Sequence, residues 1–276
     1  IRHRTHHVRQ HSPPRAAGRQ LMTERALLFD VGNTRLKWGV FIDGRISRTG
    51  SIRHEQLKES GFSSLTTRIP RNIDHVLVSN VAGPGFGARL VSFIGILCGA
   101  DVHFAKPQKN GFGLKNAYRQ PRRLGVDRWA AMIGARAESK SSLCVVDAGT
   151  ALTIDAIDGK GLHLGGQIIP GLQLMAQALA SETSDIGAPR RTTKDVGPGM
   201  GMFQNTTRQA VQSGAMNAVC GAIERAVRTM RVGGLRPRII LTGGDASRIL
   251  TQLDGKVLHR PHLVLQGLAF MLQTGS

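Results

Sequence analysis

Two segments, 117 residues apart, each put an acid and a glycine turn at the end of an apolar run. The first is Asp30-Val31-Gly32-Asn33-Thr34-Arg35-Leu36-Lys37, and the second is Asp147-Ala148-Gly149-Thr150. Phosphate binding needs backbone N–H groups that a ligand can approach closely, which a glycine permits. In the first segment Asn33 and Thr34 add donors, Lys37 adds positive charge, and Asp30 has oxygens that hold Mg2+ through water. In the second, Thr150 supplies the hydroxyl. Either turn alone also reads as an ordinary hairpin, because Asp-x-Gly-Asn is good turn sequence and short motifs match by chance. Their recurrence at equivalent places makes phosphate the better reading.

Two further segments carry chemistry. Gly243-Gly244-Asp245 follows the apolar run RIILT, where paired glycines let a flat ring such as adenine lie against the backbone. A tight strand-to-helix turn reads equally well. Gly125-Val126-Asp127-Arg128-Trp129 joins a basic loop to a helical pattern. Asp127 is there either a first-turn acid or the acceptor of a proton from an attacking hydroxyl, with Arg128 holding an anionic group. Spacing does not separate cap from catalyst. His75, His103 and His163 stand singly beside apolar runs and read as structural. No Ser/His/Asp arrangement is supported, and GxxxxGK[ST] is absent, so this is not a P-loop enzyme.

The elements that must position these residues alternate between strand and helix. ALLFD (26–30) reads as a buried strand, LKWGVFIDG as an alternating strand ending in the hairpin signal Asp43-Gly44, and HVLVSNVAG as a second buried strand. Polar IRHEQLKES and apolar 88–99 have helical character, residues 105–125 form a long Gly/Pro/Lys-rich loop, and 126–139 a helix. SLCVVDAGTALTIDAIDG then repeats the opening pattern. Helices follow at 171–181 and 206–231, with a polar Gly/Pro-rich stretch over 182–204 between them. A strand at 238–246 and an amphipathic helix at 263–273 close the chain. Two copies of one unit predict two related subdomains facing each other, in an α/β fold with two layers of helices over mixed sheets.

Apolar residues make up 41% of the chain, enough for a core and too many for global disorder. The formal net charge of +19 is unevenly placed. Residues 1–21 hold five arginines, four histidines and no acid. We read them as a disordered, non-native tail ahead of a natural start at Met22; the competing reading is a basic arm. The rest is still basic, which suits an anionic ligand such as ATP. Aromatics are only 4%, too few for a base-stacking platform. Cys98, Cys144 and Cys220 lie far apart without metal spacing and read as buried thiols in a reducing compartment. No apolar run is long enough to span a membrane.

DVGNTRLK (30–37), NAYRQPRRLGVDRW (116–129), VDAGTALTID (146–155), GGQIIPG (165–171), NTTRQAVQSG (205–214) and LTGGD (241–245) occur in one order. In this ordered set, from about residue 25 to 273, the chain resembles the type III pantothenate kinases of the acetate and sugar kinase/Hsp70/actin superfamily. The resemblance implies duplicated actin-like (ribonuclease H-like) subdomains, mixed sheets flanked by helices, over 22–140 and 141–276. It implies ATP-dependent phosphorylation of pantothenate to 4′-phosphopantothenate, the first step of coenzyme A biosynthesis. On the matching positions, Asp30, Val31, Gly32, Asn33, Thr34, Arg35, Leu36, Lys37 and Thr150 would contact ATP, with Mg2+ at Asp30. Asp147 would hold a monovalent cation, K+ or NH4+. Tyr118, Gly125, Val126, Asp127 and Arg128 would bind pantothenate, with Asp127 as general base. Thr207, aligned in preference to Thr206 by its distance from Ser213-Gly214, would contact the substrate of the neighbouring subunit of a homodimer. A cytoplasmic enzyme with no specific nucleic-acid partner and no membrane follows. The alternative is an accessory regulatory factor without kinase activity, as some relatives are described.

Overall fold

The computed structural model describes residues 25–183, 186 and 202–275; the basic stretch 1–21 and most of the stretch 182–204 lie outside the described residues. The first apolar run forms β1 (Arg25–Val31), and it is followed by β2 (Arg35–Ile42), β3 (Arg45–Arg53), β4 (His75–Asn80) and β5 (Val102–Phe104). Asp43 and Gly44 turn β2 into β3 with positive φ at both positions, 50° and 76°, which matches the twist of a two-residue hairpin. The sheet order is β3-β2-β1-β4-β5, with β2 and β3 antiparallel and β4 and β5 parallel. The basic loop follows, carrying only the two-residue strands β6 (Asn110–Gly111) and β7 (Leu114–Lys115).

A second sheet then repeats the first. It comprises β8 (Leu143–Ala148), β9 (Ala151–Ile157), β10 (His163–Pro170), β11 (Arg238–Thr242) and β12 (Val257–His259), in the order β10-β9-β8-β11-β12 and with the same strand directions. The repeat seen in sequence at two turns thus extends to whole sheets. β5, β10 and β12 are strands that the sequence pattern did not predict.

Alternation along the strands sets the layers, since successive side chains point to opposite faces. Leu27, Phe29 and Val31 face an outer core under α1 (His54–Ser60) and α2 (Pro84–Cys98), whereas Leu28 faces inward. Leu143 and Val145 face the same inner core, whose helices are α3 (Val126–Glu138) and, from the far end of the chain, α7 (Leu263–Thr274). Cys144 and Val146 face the second outer core, together with α4 (Leu172–Glu182), α5 (Thr207–Val232) and α6 (Ala246–Leu250). The two helical layers expected are therefore three. The third arises because α7, expected as an amphipathic closing helix, is buried on most sides between the sheets. It crosses α3 at glycines: a Cβ on Gly267 would lie 1.9 Å from the Ala130 carbonyl oxygen, and one on Gly134 would lie 2.6 Å from that of Leu263.

Candidate active site

Each phosphate-type turn sits where the central antiparallel strand pair of its sheet opens. Asp30 is the penultimate residue of β1, opposite Lys37 of β2, with Lys37 Nζ 3.7 Å from Asp30 Oδ2. Asp147 occupies the corresponding place in β8, opposite Thr153. The turns differ in length. Four residues separate the last paired positions Val31 and Leu36, but three separate Ala148 and Leu152, closed by Gly32 N–H to the Arg35 carbonyl and Gly149 N–H to that of Ala151. The turns touch across the molecule: the Thr34 and Thr150 hydroxyls lie 2.7 Å apart. Asn33 and both threonines are exposed, whereas the side chains of Val31 and Leu36 are buried in the outer core, so only backbone at those two positions can meet a ligand. The Gly243-Gly244 turn is packed on the same feature. Gly243, at φ 103°, lies against Ala148, and the Asp245 N–H donates to the Ala148 carbonyl at 3.0 Å.

α3 brings the third acid. Gly125 precedes the helix without a side-chain cap, and Asp127 Oδ1 instead accepts from the Arg128 N–H at 2.8 Å. First-turn acid and candidate catalyst are thus one side chain, with one oxygen committed to the backbone. Burial raises the pKa of Asp30 to about 7, against the attraction of Lys37, and the negative charges of Asp147 and Asp127 add to the rise. Burial also raises Asp127 and Asp147, and repulsion from Asp127 adds to the latter. Three carboxylates that repel one another, with one lysine among them, lack positive charge. That deficit fits Mg2+ and a monovalent cation. Among the described residues no group of three acids, histidines or cysteines converges on one point, so such ions would complete their shells with water and phosphate oxygens.

On the other side of α3, Arg128 is committed more fully than the sequence suggested. Its Nε and Nη2 donate to Asp155 Oδ2 and Oδ1 at 2.9 and 2.6 Å, and its Nη1 donates to the Tyr118 hydroxyl at 2.9 Å. His163 Nε2 lies 2.9 Å from Asp155 Oδ1, and the Tyr118 ring stacks on the imidazole at 6.1 Å. These donors hold the Asp155 carboxyl below the usual carboxylate range, although burial opposes them. The positive charge of Arg128 is therefore balanced within the protein. Sequence reading missed Asp155 and took His163 as structural. The available signal was an acid inside the apolar strand TALTID, since a buried charge requires a partner.

The loop before α3 is pinned by Asn116, which is fully buried. Its Nδ2 donates to the carbonyls of Gln108 and Pro121, and its Oδ1 accepts from the Tyr118 N–H. Gln108 and Pro121 also line a cleft of about 890 Å3 that presents Lys106, Lys109, Arg122 and Arg123 and no acid. At the N-terminus of α5 both threonines are exposed, and Thr206 is the cap, its hydroxyl accepting from the Gln209 N–H at 3.4 Å.

Two duplicated sheets whose facing turns meet beside these acids form the actin-like fold. A solved structure with this fold, component A of (R)-2-hydroxyglutaryl-CoA dehydratase from Acidaminococcus fermentans, superposes at a TM-score of 0.51 over 90% of this chain and 97% of its own, at 12% identity. Within that fold the sequence is more specific. Residues 26–229 match the family model of the type III pantothenate kinases. The type III pantothenate kinase of Methylobacillus flagellatus is 38% identical over 89% of this chain and 96% of its own, and that of Nitrosococcus oceani is 35% identical over 88% and 92%. The chain belongs to the type III pantothenate kinase family.

Proposed function

We propose that the protein transfers the γ-phosphoryl group of ATP to the hydroxyl of pantothenate, giving 4′-phosphopantothenate for coenzyme A biosynthesis. The observation that carries this reading, beyond family membership, is the Thr34–Thr150 contact, which joins two backbone phosphate cradles into one site beside Asp127. Phosphoryl transfer needs alignment and charge neutralisation more than covalent chemistry. The exposed turn residues would bind the phosphates, Lys37 would face them, and Gly243-Gly244 would seat the adenine. Mg2+ at Asp30 would supply neutralising charge on the phosphate oxygens, and K+ or NH4+ at Asp147 would help seat ATP.

Asp127 is the proposed general base: burial raises the pKa of its carboxyl group, and its second oxygen would take the proton of the attacking hydroxyl. Tyr118, Gly125, Val126 and Arg128 would hold pantothenate, with the basic cleft at Lys106 and Arg122 drawing the substrate anion in. A homodimer is supported by exposed apolar side chains on neighbouring elements of one half: Leu164 and Ile168 on the edge strand β10, Leu174 and Leu179 on α4, and Phe203 just before α5. The hydroxyl of Thr206 is used as a cap, which favours Thr207 as the substrate contact, offered to the neighbouring subunit. The two halves, 22–140 and 141–276, are proposed to close on ATP as subdomains. The test is turnover: ATP should be consumed only when pantothenate is present, and Asp147→Ala should lose stimulation by K+. Equal ATP consumption without pantothenate would overturn the assignment.

A further inference from the structure

The motif GGQIIPG ends on the second turn, where the Gly171 N–H donates to the Thr150 carbonyl at 2.9 Å, and its first glycines pack behind the acceptor side of the site. Gly166 of β10 pairs with Asp155 of β9, and a Cβ there would lie 2.2 Å from Arg128 Nη2 and 2.3 Å from Asp155 Oδ1. Only a glycine leaves room for the Arg128–Asp155 pair. His163, two pairings along β10, completes the enclosure: Arg128 is 5% exposed, Asp155 2% and His163 0%. Asp155 receives three donors, two from Arg128 and one from the imidazole. The Asp155 carboxylate can only accept, so His163 Nε2 is the donor between them, while Nδ1 is buried without a partner among the described residues.

We propose that Asp155, clamped by His163 and roofed by Gly166, is the positioning residue for the pantothenate subsite. It fixes the Arg128 guanidinium by two parallel hydrogen bonds, and the third side of that fork fixes the Tyr118 hydroxyl. A bidentate carboxylate admits one orientation of a guanidinium plane, so rotation of Arg128 would carry Tyr118 with it. The consequence is chemical as well as geometric. A guanidinium neutralised by Asp155 presents hydrogen-bonding edges and no net charge, so the subsite selects its acceptor by the placement of polar groups.

This inference rests on the reading that Arg128 and Tyr118 contact pantothenate, and the test separates the two. His163→Leu removes one donor to Asp155 while keeping an apolar filling, and His163→Gln returns a donor. We expect His163→Leu to raise KM for pantothenate about tenfold, the size of one lost hydrogen bond to a charged group. KM for ATP should stay within about twofold, because the ATP turns do not touch this cluster, and His163→Gln should recover most of the loss. Asp155→Asn should do the same more severely; if that chain does not fold, the His163 pair decides alone. Arg128→Lys controls for the underlying reading. If Arg128→Lys leaves KM for pantothenate unchanged, the acceptor role of Arg128 fails and the inference with it. If Arg128→Lys raises that KM but His163→Leu does not, or if His163→Leu moves both KM values together, only the positioning role is overturned.

Discussion

At the scale of single residues the site is defined by acids that the fold makes uncomfortable. Asp127, Asp30 and Asp147 are all raised by burial, Asp30 further by Asp147 and Asp127, Asp147 further by Asp127 and Asp127 further by Asp155, whereas Asp155 is lowered by its donors. Two predictions follow from the sign of these shifts. A general base must be ionised, so kcat/KM should fall as pH drops through a pKa above the ordinary carboxylate range, and Asp127→Asn should bind both substrates yet lose most turnover, typically 100-fold or more. Full activity in that variant would remove the base assignment. The stability of the ligand-free protein should move the other way. The folded state holds a proton on Asp30 up to about pH 7, where the unfolded chain has released it near its ordinary value of 3.8, so the folded state binds more protons and stability falls as pH rises through that window. Each pH unit of such elevation corresponds to about 1.4 kcal/mol. Thermal unfolding without ligands should therefore show a higher Tm near pH 5 than near pH 7.5 in the wild type relative to Asp30→Asn, and Mg-ATP should narrow the difference. A Tm difference between the two chains that does not change with pH would contradict the buried-acid account.

At the scale of elements, the strands that carry the two candidate phosphate turns were the easiest to read. β1, β2, β8 and β9 combine apolar runs with glycine turns, and Asp43-Gly44 fixed a hairpin. β10 was invisible because HLGGQIIP mixes two glycines and a proline with exposed apolar residues, the composition of an edge strand, which has little periodicity. β5 and β12 are three residues each, too short for a pattern. α7 was legible as a helix, but its surroundings were not, since a stripe of apolar residues does not reveal a second buried face. The crossing of α3 and α7 at Gly134 and Gly267 gives an element-scale prediction. Gly267→Ala drives a methyl group into the Ala130 carbonyl, which must move apart, and should cost on the order of 1–3 kcal/mol. Denaturant titration measures it; a neutral or stabilising result would mean that the close crossing carries no constraint.

At the scale of the whole molecule the two sheets have the same strand order, and the candidate site is placed where their corresponding turns meet. A homodimer in which Thr207 serves the neighbouring subunit predicts complementation. Mixed Asp127→Asn and Thr207→Ala chains, each nearly inactive, should regain up to about a quarter of wild-type activity, because half of randomly paired dimers are mixed and each mixed dimer holds one complete site. No recovery after verified subunit exchange would place Thr207 in its own subunit's site or outside both.

The candidate phosphate turns, the duplication and the family were legible along the chain, because glycine turns after apolar strands and the order of motifs are local properties. What those residues meet was set by the packing of the two sheets. It joined Thr34 to Thr150 across 116 positions, set three acids in one field, and tied Arg128 to Asp155 and His163. Contacts of that kind depend on how two sheets are stacked about α3 and α7, and no local pattern encodes which faces come together.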